Sequence, residues 1–115
     1  MIRKLYYYIA REFDNDFSIS EGEVDVKRED DYSLFLKKNT LPEECFYEKN
    51  IVSKPSIGFV RSPRNDGVYI VFDLTAGEAY RDILDWFYLQ QAKYTKGMIA
   101  LENTLTFKRM NIKGD

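Results

Sequence analysis

The sequence predicts an α+β domain: an antiparallel-rich β-sheet with one long helix packed on one face. Three observations lead there. The stretch Thr75–Gly97 carries helix signals at both ends. Nearly everything outside it reads as short strands separated by turns. The composition, 44% hydrophobic and 16% aromatic over 115 residues, is that of a folded chain with a single core. One domain spanning residues 1–115 is expected.

The helix is read from its ends inward. Thr75 and Glu78 have the T-x-x-E spacing of a capping box, which satisfies the first free backbone N–H groups. Lys93 and Lys96 suit the negative C-terminal end, and Gly97 offers a left-handed stop. At 100° per residue, Ala76, Ala79, Tyr80, Ile83, Trp86, Phe87 and Tyr94 fall on one broad arc. Glu78, Arg81, Asp82, Asp85, Lys93 and Lys96 fall opposite. Leu84 and Gln91 sit at the edge of the arc. Leu89 lands in the polar face, near Tyr88, where the two form a candidate contact patch.

Strands fill the remainder. Leu5–Phe13 is apolar on both parities, the mark of an internal strand. Glu23–Lys27 alternates, with Val24 and Val26 on one face. Tyr32–Lys37 follows a turn, Thr40–Glu44 is loop, and Cys45–Tyr47 is a short strand. Ser56–Arg61 and Val68–Leu74 flank SPRNDG, a hairpin signal because Pro63 presets one turn angle and Gly67 permits a positive one. Met98–Leu101 and Thr104–Met110 also read as strand. With one helix for two sheet faces, the second face is expected to be solvated, or covered by another copy or a partner. Tyr6, Tyr7 and Tyr8 are consecutive, so at least one of them faces away from the helix. Phe35, Phe46, Tyr47 and Tyr69 add to the supply of aromatics, which serve either as core or as interface.

The net charge of −2 conceals an acidic stretch. Between Glu12 and Asp31 lie nine acids against Lys27 and Arg28. Such a run is either a solvated loop and strand face or a surface that meets a basic partner. The chain has no basic stripe, which argues against direct nucleic-acid binding. No apolar run approaches a membrane span of about 18 residues. MIRKLYYYIAREF is too short and polar in its apolar part for a signal peptide, so a cytoplasmic location is expected. The single Cys45 excludes an internal disulfide and suits that compartment.

Chemistry is narrowed by subtraction. With no His and one Cys, the chain by itself offers no Ser-His-Asp or Cys-His catalysis, no His-ligated or multi-Cys zinc site and no iron–sulfur cluster. Cys45 reads as a small buried apolar residue. Asp14-x-Asp16-x-Ser18 begins like a calcium loop, but Ile19 and Asp25 stand where Gly and Glu are needed. No phosphate-cradling glycine motif is present. Carboxylates brought together by folding remain the one catalytic opening. A non-enzyme without cofactor or metal is expected.

KLYYYIAREF, EVDVKREDDYSLF, KPSIGFV and GVYIVFDLTAGEAYRDIL, in that order, resemble small proteins of phages and prophages of low-GC Gram-positive bacteria. The likeness is one of strands and turns across most of the chain. DNDFSISEG and PEECFYEKN are added segments, read as loops. The resemblance implies a mobile-element origin and assigns no residue a role.

The function expected is a binding protein that blocks a bacterial host protein, of anti-defence or immunity type. Its partner is basic or nucleic-acid-binding, and Glu21, Glu23, Asp25, Tyr88 and Leu89 form the contact. The alternative is a homo-oligomeric sponge for a nucleotide signal, with Tyr7 stacking on a base and Arg61, Arg64, Lys108 or Arg109 meeting phosphate. A nucleic-acid-associated accessory protein comes third.

Overall fold

The computed structural model describes residues 3–37, 50–62 and 66–113, with side chains through Thr106. Five antiparallel strands form one sheet, and a helix follows. The strands are β1 (Arg3–Phe13), β2 (Asp16–Glu29), β3 (Ser33–Leu36), β4 (Ile51–Ser53) and β5 (Val68–Asp73), in the order β4-β3-β2-β1-β5. The helix is α1 (Ala76–Lys113). Two compact units divide the chain, Met1–Leu84 and Asp85–Asp115.

β1 is internal, between β2 and β5, as its two-sided apolar pattern required. Leu5 and Ile9 are buried toward one face and Ala10 toward the other. β2 is far longer than the predicted Glu23–Lys27. It begins at Asp16, so DNDFSISEG is not a loop. Asp14 and Asn15 take φ of 44° and 67°, a two-residue turn whose twist matches its flanking strands. Asp and Asn tolerate this conformation better than other side chains. The next turn is closed by the Asp30 carboxylate, which accepts from the Tyr32 and Ser33 N–H groups at 2.9 and 2.7 Å.

The sheet buries apolar side chains on both faces. On one, Leu5, Ile9, Val24, Val26, Leu34, Leu36, Val52, Ile70 and Phe72 make a single core cluster, with Tyr7, Ile57 and Val68 packed against it. The chain between the outer strands covers it. After β4 it makes a 3-10 turn at Lys54–Ser56 and reaches β5. There the Gly58 N–H donates to Phe72 O at 2.8 Å, and Arg61 and Ile70 exchange both backbone hydrogen bonds at 2.8 Å. The sheet curls on itself, and this corrects the expectation that the face away from the helix would need a copy, a partner or solvent. Ser56–Arg61 is accordingly a turn and one isolated bridge rather than a full strand. Gly58, at φ 86°, makes the bend that a residue with a Cβ resists.

The opposite face receives the first two turns of α1. Ala79 and Ile83 are buried there with Ala10 and Val71, and Tyr80 meets Tyr8 edge-on at 5.7 Å. The Glu78 N–H donates to the Thr75 hydroxyl at 3.1 Å, one half of the expected capping box, while the Glu78 carboxylate meets Asp73 instead of the Thr75 N–H. Only part of the predicted arc is used, because Ala76 is exposed and Tyr80 and Tyr94 are 52% and 67% exposed. Asp82, placed on the polar side by the helical wheel, is half-buried.

The largest correction lies beyond Gly97. Met98–Leu101 and Thr104–Met110 are helix, and Gly97 is an interior residue with ordinary backbone angles. Ala100, Leu101, Glu102 and Leu105 are good helix formers. The Thr95 and Thr104 hydroxyls, which favour strand or turn, donate to the carbonyls of Gln91 and Ala100 at 3.0 and 2.9 Å. Among the described residues no helix is long and apolar enough to cross a membrane. The Thr40–Glu44 loop, the Cys45–Tyr47 strand and the middle of SPRNDG lie outside the described residues.

Candidate functional site

The β1–β2 register sorts the acidic stretch. Several of its acids have structural work. Asp30 caps a turn, and Glu29 bridges Arg3 at 3.0 Å and Lys54 at 2.8 Å. Glu12 accepts from the Tyr69 hydroxyl at 3.2 Å, and Asp16 from the Phe17 N–H at 2.8 Å. The three acids singled out from the sequence form a different set. Glu21, Glu23 and Asp25 are alternate residues of β2, so they share one face at a spacing of about 6.8 Å. Directly across lie Tyr8, Tyr6 and Lys4. This is the face that receives the start of α1.

A groove of about 340 Å³ opens there, lined by Tyr6, Tyr7, Tyr8, Glu21, Gly22, Glu23 and Ala76. Its groups are electrostatically committed. The Tyr8 hydroxyl is hydrogen-bonded to Glu21, which together with desolvation and the nearby negative charge pushes its pKa up to about 12. Tyr8 therefore stays a neutral donor at neutral pH. Lys4 pairs with Glu23 at 2.8 Å, and that contact raises its pKa and keeps it charged. Glu21, Glu23 and Asp25 against Lys4 leave these four side chains at −2.

The same face continues toward the hairpin tip with Ile19, across from Ala10, and Phe17, across from Glu12. They are 57% and 44% exposed. The sequence reading missed Phe17, Ile19, Tyr6 and Tyr8 as parts of this surface. The available signal was the strict alternation Phe17, Ile19, Glu21, Glu23, Asp25 against Val24 and Val26 on the other parity.

Gly22 has its own reason. The Tyr7 ring lies across it on the core side, and a Cβ there would come within 2.5 Å of the Tyr7 hydroxyl and 2.7 Å of its ring carbon Cζ. Tyr7 also packs against Phe72, with ring centroids 6.2 Å apart. The tyrosine proposed to stack on a nucleotide base is thus part of the packing inside the curl. Arg61 is half-buried beside β5. Arg64 lies outside the described residues, and Lys108 and Arg109 belong to the last turns of α1, where side chains are not described. Tyr88 and Leu89 are 60% and 68% exposed on α1, in the second unit.

A second group of acids meets at the end of β5. Asp73 is pushed up by partial burial but brought below its ordinary value by hydrogen bonds with Asp82, the Leu74 N–H and Glu78. Glu78 is raised by the same contact with Asp73 and by its charge. A Cβ on Gly58 would sit 3.7 Å from a carboxylate oxygen of both Asp73 and Asp82. The three carboxylates meet at the corner between β5 and the start of α1. Among the described residues no group of His, Cys, Asp or Glu side chains is placed to hold a metal ion.

No protein-family model, curated protein or solved structure matches the chain.

Proposed function

We propose that the protein is a non-enzymatic inhibitor of the kind carried by phages and mobile elements, one that binds a basic bacterial protein through the outer face of its β1–β2 hairpin. The observation that carries this reading is the alignment of Glu21, Glu23 and Asp25 on one face, opposite Tyr6 and Tyr8 and beside exposed Phe17 and Ile19. A Lys or Arg entering the groove finds carboxylates and tyrosine rings together, a pairing suited to cations. Apolar contact at Phe17 and Ile19 supplies the desolvated centre that a charged rim alone lacks. A long acidic ladder also steers a basic partner during encounter.

The test uses the full chain as bait in bacterial lysate, followed by kinetics on the captured protein. With Glu21, Glu23 and Asp25 all changed to Lys, association is expected to slow by about tenfold or more and to lose its decline with salt. Phe17→Ala is expected to act mainly on dissociation. A captured partner whose association rate ignores the triple reversal contradicts the proposal.

A further inference from the structure

The distal part of α1 carries a regular stripe of side chains that is exposed from Gln91 onward, while Phe87 at its start is half-buried and meets Trp86 edge-on at 5.1 Å. Phe87, Gln91, Tyr94, Met98, Leu101 and Leu105 recur at alternating steps of four and three residues. That spacing keeps them on one stripe about 80° wide and about 27 Å long. From Gln91 onward every one is exposed, with Tyr94 at 67%, Met98 at 59%, Leu101 at 67% and Leu105 at 54%. The charged Asp85, Lys93 and Lys96 lie on the opposite side of the helix.

A stripe with this period fits another helix, because each side chain can enter a hole formed by four residues of a partner with the same repeat. The flanks decide which helix. The positions beside the stripe are Tyr88, Gln90, Thr95, Gly97, Glu102 and Thr104, and only Glu102 is charged. A foreign helix with charged flanks would find almost nothing to pair with. A second copy meets no repulsion, since Glu102 of one helix falls opposite Gly97 of the other in a parallel pair. Gln91 adds the same preference. In an in-register parallel pair it meets its own equivalent, and each amide donates to and accepts from the other. We infer that α1 pairs with α1 of a second copy as a parallel, in-register coiled coil through Phe87, Gln91, Tyr94, Met98, Leu101 and Leu105.

The test is the solution mass of the full chain by light scattering at tens of micromolar, with circular dichroism to confirm folding. Wild type is expected at twice the chain mass of 13.6 kDa. Met98→Glu with Leu101→Glu is expected at 13.6 kDa with the fold intact. Leu89→Glu, opposite the stripe, is expected to remain dimeric. Gln91→Cys in a Cys45→Ala background is expected to cross-link to itself under mild oxidation. A monomeric wild type overturns the inference, as does a dimer indifferent to the double glutamate variant. Failure of Gln91→Cys to cross-link overturns the parallel register. None of these outcomes depends on the hairpin proposal, which is read from partner kinetics.

Discussion

Met1–Leu84 and Asp85–Asp115 are built from similar proportions of apolar residues and use them in opposite ways. In the first unit strands bury apolar side chains on both sheet faces, and every buried apolar residue among the described side chains lies at or before Ile83. In the second, Tyr88, Leu89, Tyr94, Met98, Ile99, Leu101 and Leu105 are all more than half exposed. The first unit closes its own core by curling. The second leaves a regular apolar stripe exposed. Substitutions in the two regions are therefore expected to report on different properties.

The largest contrast is expected between Phe72→Ala and Leu101→Ala. Phe72 is 2% exposed and touches the core cluster, so its truncation is expected to cost about 3–5 kcal/mol in urea unfolding. Leu101→Ala is expected to stay within about 0.5 kcal/mol in dilute protein. Equal losses would mean that the helix stripe is packed within one chain. Next comes Gly22→Val, which forces the Tyr7 ring off its site and is expected to cost about 1–3 kcal/mol. Unchanged unfolding there would show that Tyr7 moves freely. Gly97→Ala is expected to do the reverse, strengthening α1 by about 1 kcal/mol, because nothing lies within 4 Å of its missing Cβ. Helical ellipticity at rising temperature reads this gain.

A smaller effect follows from pH. Glu29 is held below its ordinary 4.5 by hydrogen bonds with Lys54 and Arg3, and Asp30 below its ordinary 3.8 by the Tyr32 and Ser33 N–H groups. Lowered acids add stability that is complete above those ordinary values and is lost as pH falls through the folded ones. Glu78, raised by Asp73, has the opposite sign, and its contribution is lost as pH rises through its folded value. The thermal midpoint is expected to drop between pH 5 and 3, and Asp30→Asn is expected to flatten that drop. A midpoint independent of pH would show that these turn and edge contacts do not hold in solution.

Much of the first unit was legible in the sequence because its signals are local. The two-sided apolar pattern placed β1 inside the sheet, the turn chemistry bracketed β5, and Thr75 marked the start of the helix. The β1–β2 hairpin was not, because the charge of DNDFSISEG drew attention from its alternation and its turn lacks Gly. The length of α1 was not either. Gly97, Thr104 and Thr106 are poor helix residues one at a time, and against them stand the good helix formers Ala100, Leu101, Glu102 and Leu105 and the continuing four-three stripe of Met98, Leu101 and Leu105. Within the candidate site, Glu21, Glu23 and Asp25 stood out by charge. Tyr6 and Tyr8 joined them only through strand register, which no local pattern contains.

The division between the two regions is tested most directly by hydrogen exchange on the full chain at about 1 and about 100 μM. Amides of β1 and β5 are expected to exchange slowly at both concentrations. Amides from Gln91 to Leu105 are expected to exchange quickly in dilute solution and to slow markedly in concentrated solution. Helix amides as protected as those of β1 in dilute solution would contradict the account, because they would show that one chain alone already covers this surface.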